Sequence, residues 1–286
     1  MINGTMCGNQ WEGEAVIEID EFEEVTCIKM SIEAEGRPVY WVAAYLVDGL
    51  LIDTGCAHTA AEFTEYLEDR RLDLVVNTHY HEDHIGANKL IAERYGVQIF
   101  AHPDSVSQIG TVPKLNPYQE YVWGYPEPSR VLPLGDMIKT GNFRFEVVET
   151  GGHSEGHVAL FERDHGWCFS GDIFITEKPK VIRADEDARG LIASTLKLAA
   201  LPSERLVLFT SMGKIIPDGR KALLSCAGYL EELGDQGRSL ADDGLAPSEI
   251  RERIFGTGSS LAALTGGHFS SDNLIASLFR PDGGHA

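Results

Sequence analysis

The spacing of hydrophobic residues changes from strand-like to helix-like as the chain proceeds. Residues 15–20 and 143–148 alternate apolar and polar side chains, which predicts strands with one buried face. Residues 72–77 (L-D-L-V-V-N) and 206–209 (L-V-L-F) are short, largely apolar segments, which are typical of buried strands. We therefore predict a body with strands first in succession and then in strand-helix-strand units.

Apolar residues three or four positions apart predict helices within this body and through the last quarter of the chain. The predicted helices are residues 58–70, 85–95, 187–201, 220–240, 247–255 and 271–278. Residues 104–130 contain four prolines and no regular spacing, which predicts an irregular, partly helical insertion. We expect a catalytic domain over residues 1–219 and a helical extension over 220–286 that packs on its core.

Composition and charge narrow the classes of partner. The 286 residues, 43% hydrophobic and 24% charged, supply enough apolar material for a large domain with an appendage. A formal net charge of −20 repels phosphate backbones and anionic lipids, so we expect neither nucleic acid nor membrane as a partner. We expect a small-molecule substrate, while the oligomeric state is not predicted.

The cysteines and the first residues bear on the compartment. Five cysteines are scattered along the chain without a C-x-x-C pair, which is typical of free thiols in a reducing compartment. The first 24 residues are acidic and have neither the basic nor the apolar region of a secretory leader. We therefore expect a cytoplasmic protein.

Residues 78–87 read T-H-Y-H-E-D-H-I-G-A and contain a local excess of histidine. Only 10 of the 286 residues are histidines, yet His79, His81 and His84 fall within six positions, together with Asp83. Neutral imidazoles and carboxylates are the ligands that borderline divalent metals prefer. The motif predicts a bound metal that activates water.

Further candidate residues follow other predicted strands. Asp53 ends one strand, His153 lies between two, and Asp172 follows a fourth. Loops at one edge of a sheet converge on one site, so we expect these side chains to meet the histidine motif.

Four motifs in this order resemble those of the metallo-β-lactamase-fold hydrolases, the superfamily that includes glyoxalase II. They are L-I-D-T-G at 51–55, H-Y-H-E-D-H at 79–84, T-G-G-H-S-E-G-H at 150–157 and F-S-G-D at 169–172. The resemblance covers residues 15–215. It implies an α+β fold, a four-layer αβ/βα sandwich, here with a C-terminal helical extension.

The resemblance also implies roles for individual residues. The implied metal ligands are His79, His81 and His153 for a first ion, Asp83 and His84 for a second, and Asp172 between the two. Asp53 would organise the histidine loop, and His157 would lie behind the site and orient a ligand. Asp83 is also the candidate catalytic residue, which would orient the attacking water or carry its proton. Zinc is the expected metal, as one or two ions, with iron or manganese as alternatives.

One position departs from the family pattern. The family places a histidine ligand of the second metal after its last core strand, where this chain has Met212 in F-T-S-M-G-K. Because a thioether is a soft, weak ligand for zinc, two hypotheses stay open. Either the second metal is held weakly, or another residue replaces the ligand, and His268 on a glycine-rich joint of the tail is the candidate replacement.

These features predict a metal-dependent hydrolase, in which metal-bound hydroxide attacks an ester, thioester or lactone of a small molecule. Two alternatives stay open. A single iron held by His79, His153 and Asp172 would resemble the persulfide dioxygenases on the same scaffold, which are oxidoreductases. A non-catalytic metal-binding descendant would follow if the change at Met212 had abolished activity.

Overall fold

The computed structural model describes residues 14–256 and 260–279. About half of the first 24 residues, from which we predicted that a secretory leader is lacking, therefore lie outside the described residues. Two β-sheets pack face to face, and helices cover the outer face of each, in the order αβ/βα. This architecture confirms the predicted α+β sandwich with C-terminal helices.

The first sheet contains eight strands. They are β1 (Glu14–Phe22), β2 (Val25–Ala34), β3 (Arg37–Pro38), β4 (Val42–Val47), β5 (Leu50–Ile52), β6 (Leu74–Val76), β7 (Gln98–Ala101) and β8 (Leu132–Pro133). Their order is β1-β2-β4-β5-β6-β7-β8, and β3 pairs with β2. Strands β5 to β8 run parallel, so their carboxyl ends lie at one edge, which is where the candidate site forms.

The second sheet contains six strands, and a separate pair joins the body to the tail. The remaining strands are β9 (Met137–Lys139), β10 (Arg144–Glu149), β11 (Val158–Glu162), β12 (Trp167–Phe169), β13 (Ile182–Arg183), β14 (Val207–Phe209), β15 (Ile215–Ile216) and β16 (Phe269–Ser270). The sheet order is β15-β14-β12-β11-β10-β9, while β13 pairs only with β16. The sequence pattern did not predict this two-stranded pair.

The helices are α1 (Ala60–Tyr66), α2 (Asn88–Tyr95), α3 (Val106–Ile109), α4 (Pro117–Val122), α5 (Ala188–Ala199), α6 (Gly219–Asp242), α7 (Pro247–Phe255), α8 (Ser260–Leu264) and α9 (Ser271–Phe279). Helix α2 begins later than the predicted residue 85, because residues 82–87 form a turn that hydrogen-bonds to the loop after β5. The short helices α3 and α4 make up the partly helical insertion.

Three apolar clusters hold the layers together. Between the sheets, Phe169 and Phe209 stack with ring centroids 4.7 Å apart, and Tyr45 packs edge-on against both. Helices α1 and α2 cover the first sheet, whereas α5, α6 and α9 share one core with the second. Fully buried Leu223 and Leu274 belong to that shared core, so the tail packs as part of the body. Among the described helices, none combines the length and apolar composition that a membrane crossing requires.

Candidate metal centre

The loop after β5 and the loop after β6 bind each other through their backbones. Thr54 N–H donates to the His84 carbonyl at 2.8 Å, and Gly86 N–H donates to the Gly55 carbonyl at 2.7 Å. A Cβ at Gly86 would lie 2.2 Å from the Cys56 carbonyl carbon, so only glycine permits this approach. The contacts hold the histidine motif as a compact turn at the carboxyl edge of the sheet.

Three imidazoles meet at this edge. The His81 Nδ1 atom lies 2.9 Å from His79 Nε2 and 2.8 Å from His153 Nε2. The Asp172 carboxylate joins them, and the four ligand atoms all lie within 4.8 Å of one another. Ring nitrogens this close can each lie about 2 Å from one common point, as zinc coordination requires.

The protonation states of these rings suit a metal. Burial lowers the pKa of His79 well below its ordinary value, and the neighbouring imidazoles lower it further. Burial, followed in size by the positive charge of Arg183, lowers the pKa of His81 well below its ordinary value. Neutral imidazoles carry the lone pairs that bind metals, so both rings are ready to act as ligands.

A second group of potential ligands lies beside the first. The His84 Nε2 atom is 3.3 Å from Asp172 Oδ1 and 3.8 Å from Asp83 Oδ2. Both His84 Nε2 and Asp172 Oδ1 are buried, and neither has an aligned hydrogen-bond partner in the part of the chain that the structure describes. A cation between them would satisfy both atoms, so the donor set fits a second metal.

Opposing effects set the charges of this second group. Burial is the largest effect on Asp83 and raises the pKa of its carboxyl to about 7. Burial acts to lower the pKa of His84, but Asp53, Asp172 and Asp83 outweigh it and raise that pKa. Burial acts to raise the pKa of Asp172, but His84 and His153 hold it well below its usual range.

Asp53 and His157 support the ligands from behind. The Asp53 carboxylate accepts hydrogen bonds from the Thr78 backbone at 2.7 Å, the Thr78 hydroxyl at 2.8 Å and His84 Nδ1 at 2.8 Å. This turns His84 Nε2 toward the site. His157 Nε2 accepts from the Asp172 backbone N–H at 3.1 Å, which fixes the loop that carries Asp172.

Sequence reasoning missed three side chains that contact the ligands or shift their pKa. Glu186 Oε1 lies 2.5 Å from His153 Nδ1, and Arg183 Nη1 lies 3.4 Å from His81 Nδ1. The Ser211 side chain helps to lower the pKa of the Asp172 carboxyl, after the larger effects of His84 and His153. Glu186 and Arg183 belong to no motif, so no signal in the sequence marks them, whereas Ser211 precedes Met212 in the F-T-S-M-G-K stretch.

The structure does not bring His268 into the group of four potential ligands. Its Nδ1 atom lies 2.5 Å from Tyr118 Oη, and its Nε2 atom lies 3.8 Å from Asp185 Oδ1. Met212 is half-buried in the turn between β14 and β15. His165, outside the motifs, binds Glu162 instead, with Nδ1 and Oε2 3.0 Å apart.

Comparison with known proteins agrees with this geometry. The family model described as "Metallo-beta-lactamase superfamily" matches residues 41–210, more than half of the chain. The chain belongs to the metallo-β-lactamase superfamily. This membership confirms the family that the four sequence motifs predicted.

Individual superfamily members resemble the chain over different lengths. A hydroxyacylglutathione hydrolase of Erythrobacter litoralis is 31% identical over 132 residues, which cover 43% of this chain and 46% of that protein. The match therefore spans less than half of that relative. A β-lactamase domain protein from Burkholderia ambifaria has a TM-score of 0.63 at 17% identity, covering 94% of this chain and 87% of its own. A metallo-β-lactamase from Pontibacter korlensis has a TM-score of 0.60 at 17% identity, covering 76% of this chain and 99% of its own. Both structures show the fold alone.

Proposed function

We propose that this protein is a metal-dependent hydrolase that cleaves an ester, thioester or lactone bond in a small molecule. The observation that carries the proposal is the convergence of His79, His81, His153 and Asp172 within 4.8 Å in a buried site. Thioesters rank first because the relative from Erythrobacter litoralis is a hydroxyacylglutathione hydrolase. Zinc is the proposed metal, as one or two ions, with iron or manganese as alternatives.

The residues supply four proposed ligands for a first metal ion and only three for a second. The first ion would be held by His79, His81, His153 and Asp172, and the second by Asp83, His84 and Asp172. A bound divalent ion would supply Lewis acidity and lower the pKa of water. Because Met212 replaces the last family ligand, we propose that the second ion binds more weakly than the first.

The chain's own groups position the reactants and move the proton. Asp83 is buried beside the ligands, so its carboxyl can hold a proton taken from the attacking water and return it to the leaving group. Asp53 keeps the His84 ring in one orientation through its 2.8 Å contact with Nδ1. Near-complete burial of the histidines excludes bulk water and strengthens electrostatic interactions in the site.

A second candidate follows from the same cluster. His79, His153 and Asp172 are two imidazoles and one carboxylate, the ligand set of mononuclear iron oxygenases. This would make the protein an iron oxidoreductase of the persulfide dioxygenase type. The additional contact of His81 Nδ1 with both histidines supplies a third imidazole and favours the hydrolase.

The experiment combines metal analysis with an activity panel. Purified protein would be assayed for zinc, iron and manganese and tested on thioesters, esters and lactones, beside His79→Ala and the control His165→Ala. We expect zinc and hydrolysis in the wild type, more than a hundredfold loss of activity in His79→Ala, and little change in His165→Ala. Iron alone, with oxygen uptake on a persulfide, would establish the oxidoreductase. Metal without turnover on any substrate would favour the non-catalytic alternative.

A further inference from the structure

A buried arginine, Arg183, lies against the metal cluster on the side of the helical tail. Its side chain is only 9% exposed, and its Nη1 atom is 3.4 Å from the His81 nitrogen that meets the other two imidazoles. Arg183 lies in β13, where it is paired in register with Phe269 of β16. Its guanidinium also lies over the Phe269 ring, 5.9 Å from the centroid. The tail therefore fixes a cation at the edge of the site.

The hydrogen-bonding capacity of this guanidinium is largely unused. Arginine has five N–H donors. Nε donates to Asp185 Oδ1 at 3.3 Å, but Asp185 is 55% exposed and accepts only this one bond from the guanidinium. Nη1 faces the His81 Nδ1 atom, whose lone pair would bind the metal. No hydrogen-bond acceptor for Nη2 is found within residues 14–256 and 260–279. Two terminal nitrogens are thus left for another partner.

The nearby buried carboxylates have other partners. Glu82 Oε1 accepts from Gln119 Nε2 at 2.6 Å. Glu186 uses one oxygen for His153 Nδ1 and the other for the backbone N–H of Arg183, at 2.6 Å. The Glu186 contact holds the backbone of Arg183 without satisfying its side chain. Because a buried cation is costly when its donors lack acceptors, these terminal donors favour the binding of an anion from outside the chain.

The shape of the Arg183 guanidinium indicates which anion would fit its two terminal nitrogens. Two terminal N–H groups of a guanidinium match the two oxygens of a carboxylate in a planar, bidentate pair. The guanidinium adjoins the potential metal ligands, so the carboxylate must lie close to the bond that is cleaved. Since the side chain is held by β13 and Phe269, little ordering is needed on binding.

We propose that Arg183 determines specificity by binding a carboxylate on the acyl group of the substrate, close to the scissile carbonyl. The preferred substrates are then half-thioesters of dicarboxylic acids, such as a succinyl thioester, rather than uncharged acyl thioesters. This inference rests on the proposed hydrolase function, but its binding step can be tested without turnover.

The kinetic test compares two acyl groups of equal carbon number. Zinc-loaded full-length protein would hydrolyse the succinyl and butyryl thioesters of N-acetylcysteamine, beside Arg183→Gln, Arg183→Lys and the surface control Arg205→Gln. Arg205 pairs with Glu23 and is 46% exposed. We expect Arg183→Gln to lower kcat/KM for the succinyl substrate about 30-fold, mainly through KM, and to change the butyryl substrate less than about threefold. Arg183→Lys should retain part of the preference for the succinyl substrate, because lysine keeps the positive charge but lacks the planar pair of N–H donors.

A binding measurement separates this inference from the proposed function. Calorimetry on the same zinc-loaded proteins would compare succinate with butyrate. Tighter binding of succinate that is lost in Arg183→Gln supports the inference even if neither thioester is hydrolysed, in which case only the proposed function fails. Equal losses on both thioesters, or a zinc content that falls in Arg183→Gln, would show a structural role and overturn the inference. If Arg183→Gln does not fold, an undiminished succinate preference in Arg183→Lys would also overturn it.

Discussion

Glu186 gives the sharpest test of how this site holds its metal. Its carboxylate accepts at both oxygens, from His153 Nδ1 at 2.5 Å and from the backbone N–H of Arg183 at 2.6 Å. In Glu186→Gln, one of these oxygens becomes an amide nitrogen, which can only donate. A donor then faces a donor, and either the His153 ring or the Arg183 backbone N–H in β13 loses its hydrogen-bond partner.

The expected magnitude follows from the role of the hydrogen bond. Burial acts to lower the pKa of His153, but Asp172 and the hydrogen bond to Glu186 outweigh it and raise that pKa, so the ring is more basic. Loss of a carboxylate that orients a histidine ligand lowers metal affinity about 10- to 100-fold, or roughly 1.4 to 2.7 kcal/mol. We expect Glu186→Gln to fall in this range, with the fold retained.

The assay is a competition titration of zinc against a chromophoric chelator, with circular dichroism to confirm folding. Glu162→Gln is the matched control, since buried Glu162 also contacts a histidine at 3.0 Å, but that histidine, His165, is not one of the proposed metal ligands. Zinc affinity in the control should equal that of the wild type. Unchanged affinity in Glu186→Gln, or an equal decrease in both variants, would refute the reasoning.

Three further predictions concern the ligands and their support. Asp53→Ala removes the acceptor of three buried hydrogen bonds and should lower the free energy of unfolding by about 3 kcal/mol in urea titrations; a loss below about 1 kcal/mol would contradict this. His268→Ala should keep the metal content of the wild type, because His268 Nδ1 bonds to Tyr118; loss of one metal equivalent would instead establish His268 as the replacement ligand. Removal of metal by a chelator should lower the melting temperature, since zinc at about 1,000 times its Kd stabilises the folded state by about 4 kcal/mol, and identical melting curves would exclude a tight site.

Much of the fold was predictable because its strands carry local signals. The largely apolar segment at 72–77 contains β6, and the alternation at 143–148 marks β10, since burial on a sheet imposes these patterns residue by residue. The helix predicted from residue 85 begins only at Asn88, for a non-local reason: the preceding turn, which carries Asp83 and His84, makes backbone hydrogen bonds to residues 54–55.

Two residues of the candidate site could not be predicted from the sequence. Glu186 and Arg183 lie where the chain runs from β13 into α5, and neither has a spacing or a neighbouring motif that indicates its partner. Their contacts with His153 and His81 span 33 and 102 positions in sequence. Such contacts depend on how two segments dock, and a two-residue strand such as β13 is too short to show a period.

The helical tail is connected to the metal centre through this same segment. Strand β16 pairs with β13, and the Ser277 hydroxyl accepts from the backbone N–H of Ala188 at 2.8 Å, at the start of α5. Tail residues also complete the apolar core beneath the second sheet. Truncation at residue 219 would therefore expose this core and release Arg183 and Glu186 together, so it cannot separate substrate choice from metal binding. Single substitutions at Arg183 and Glu186 can separate substrate choice from metal binding. Arg183 has terminal donors that can bind a substrate, whereas Glu186 contacts the proposed metal ligand His153.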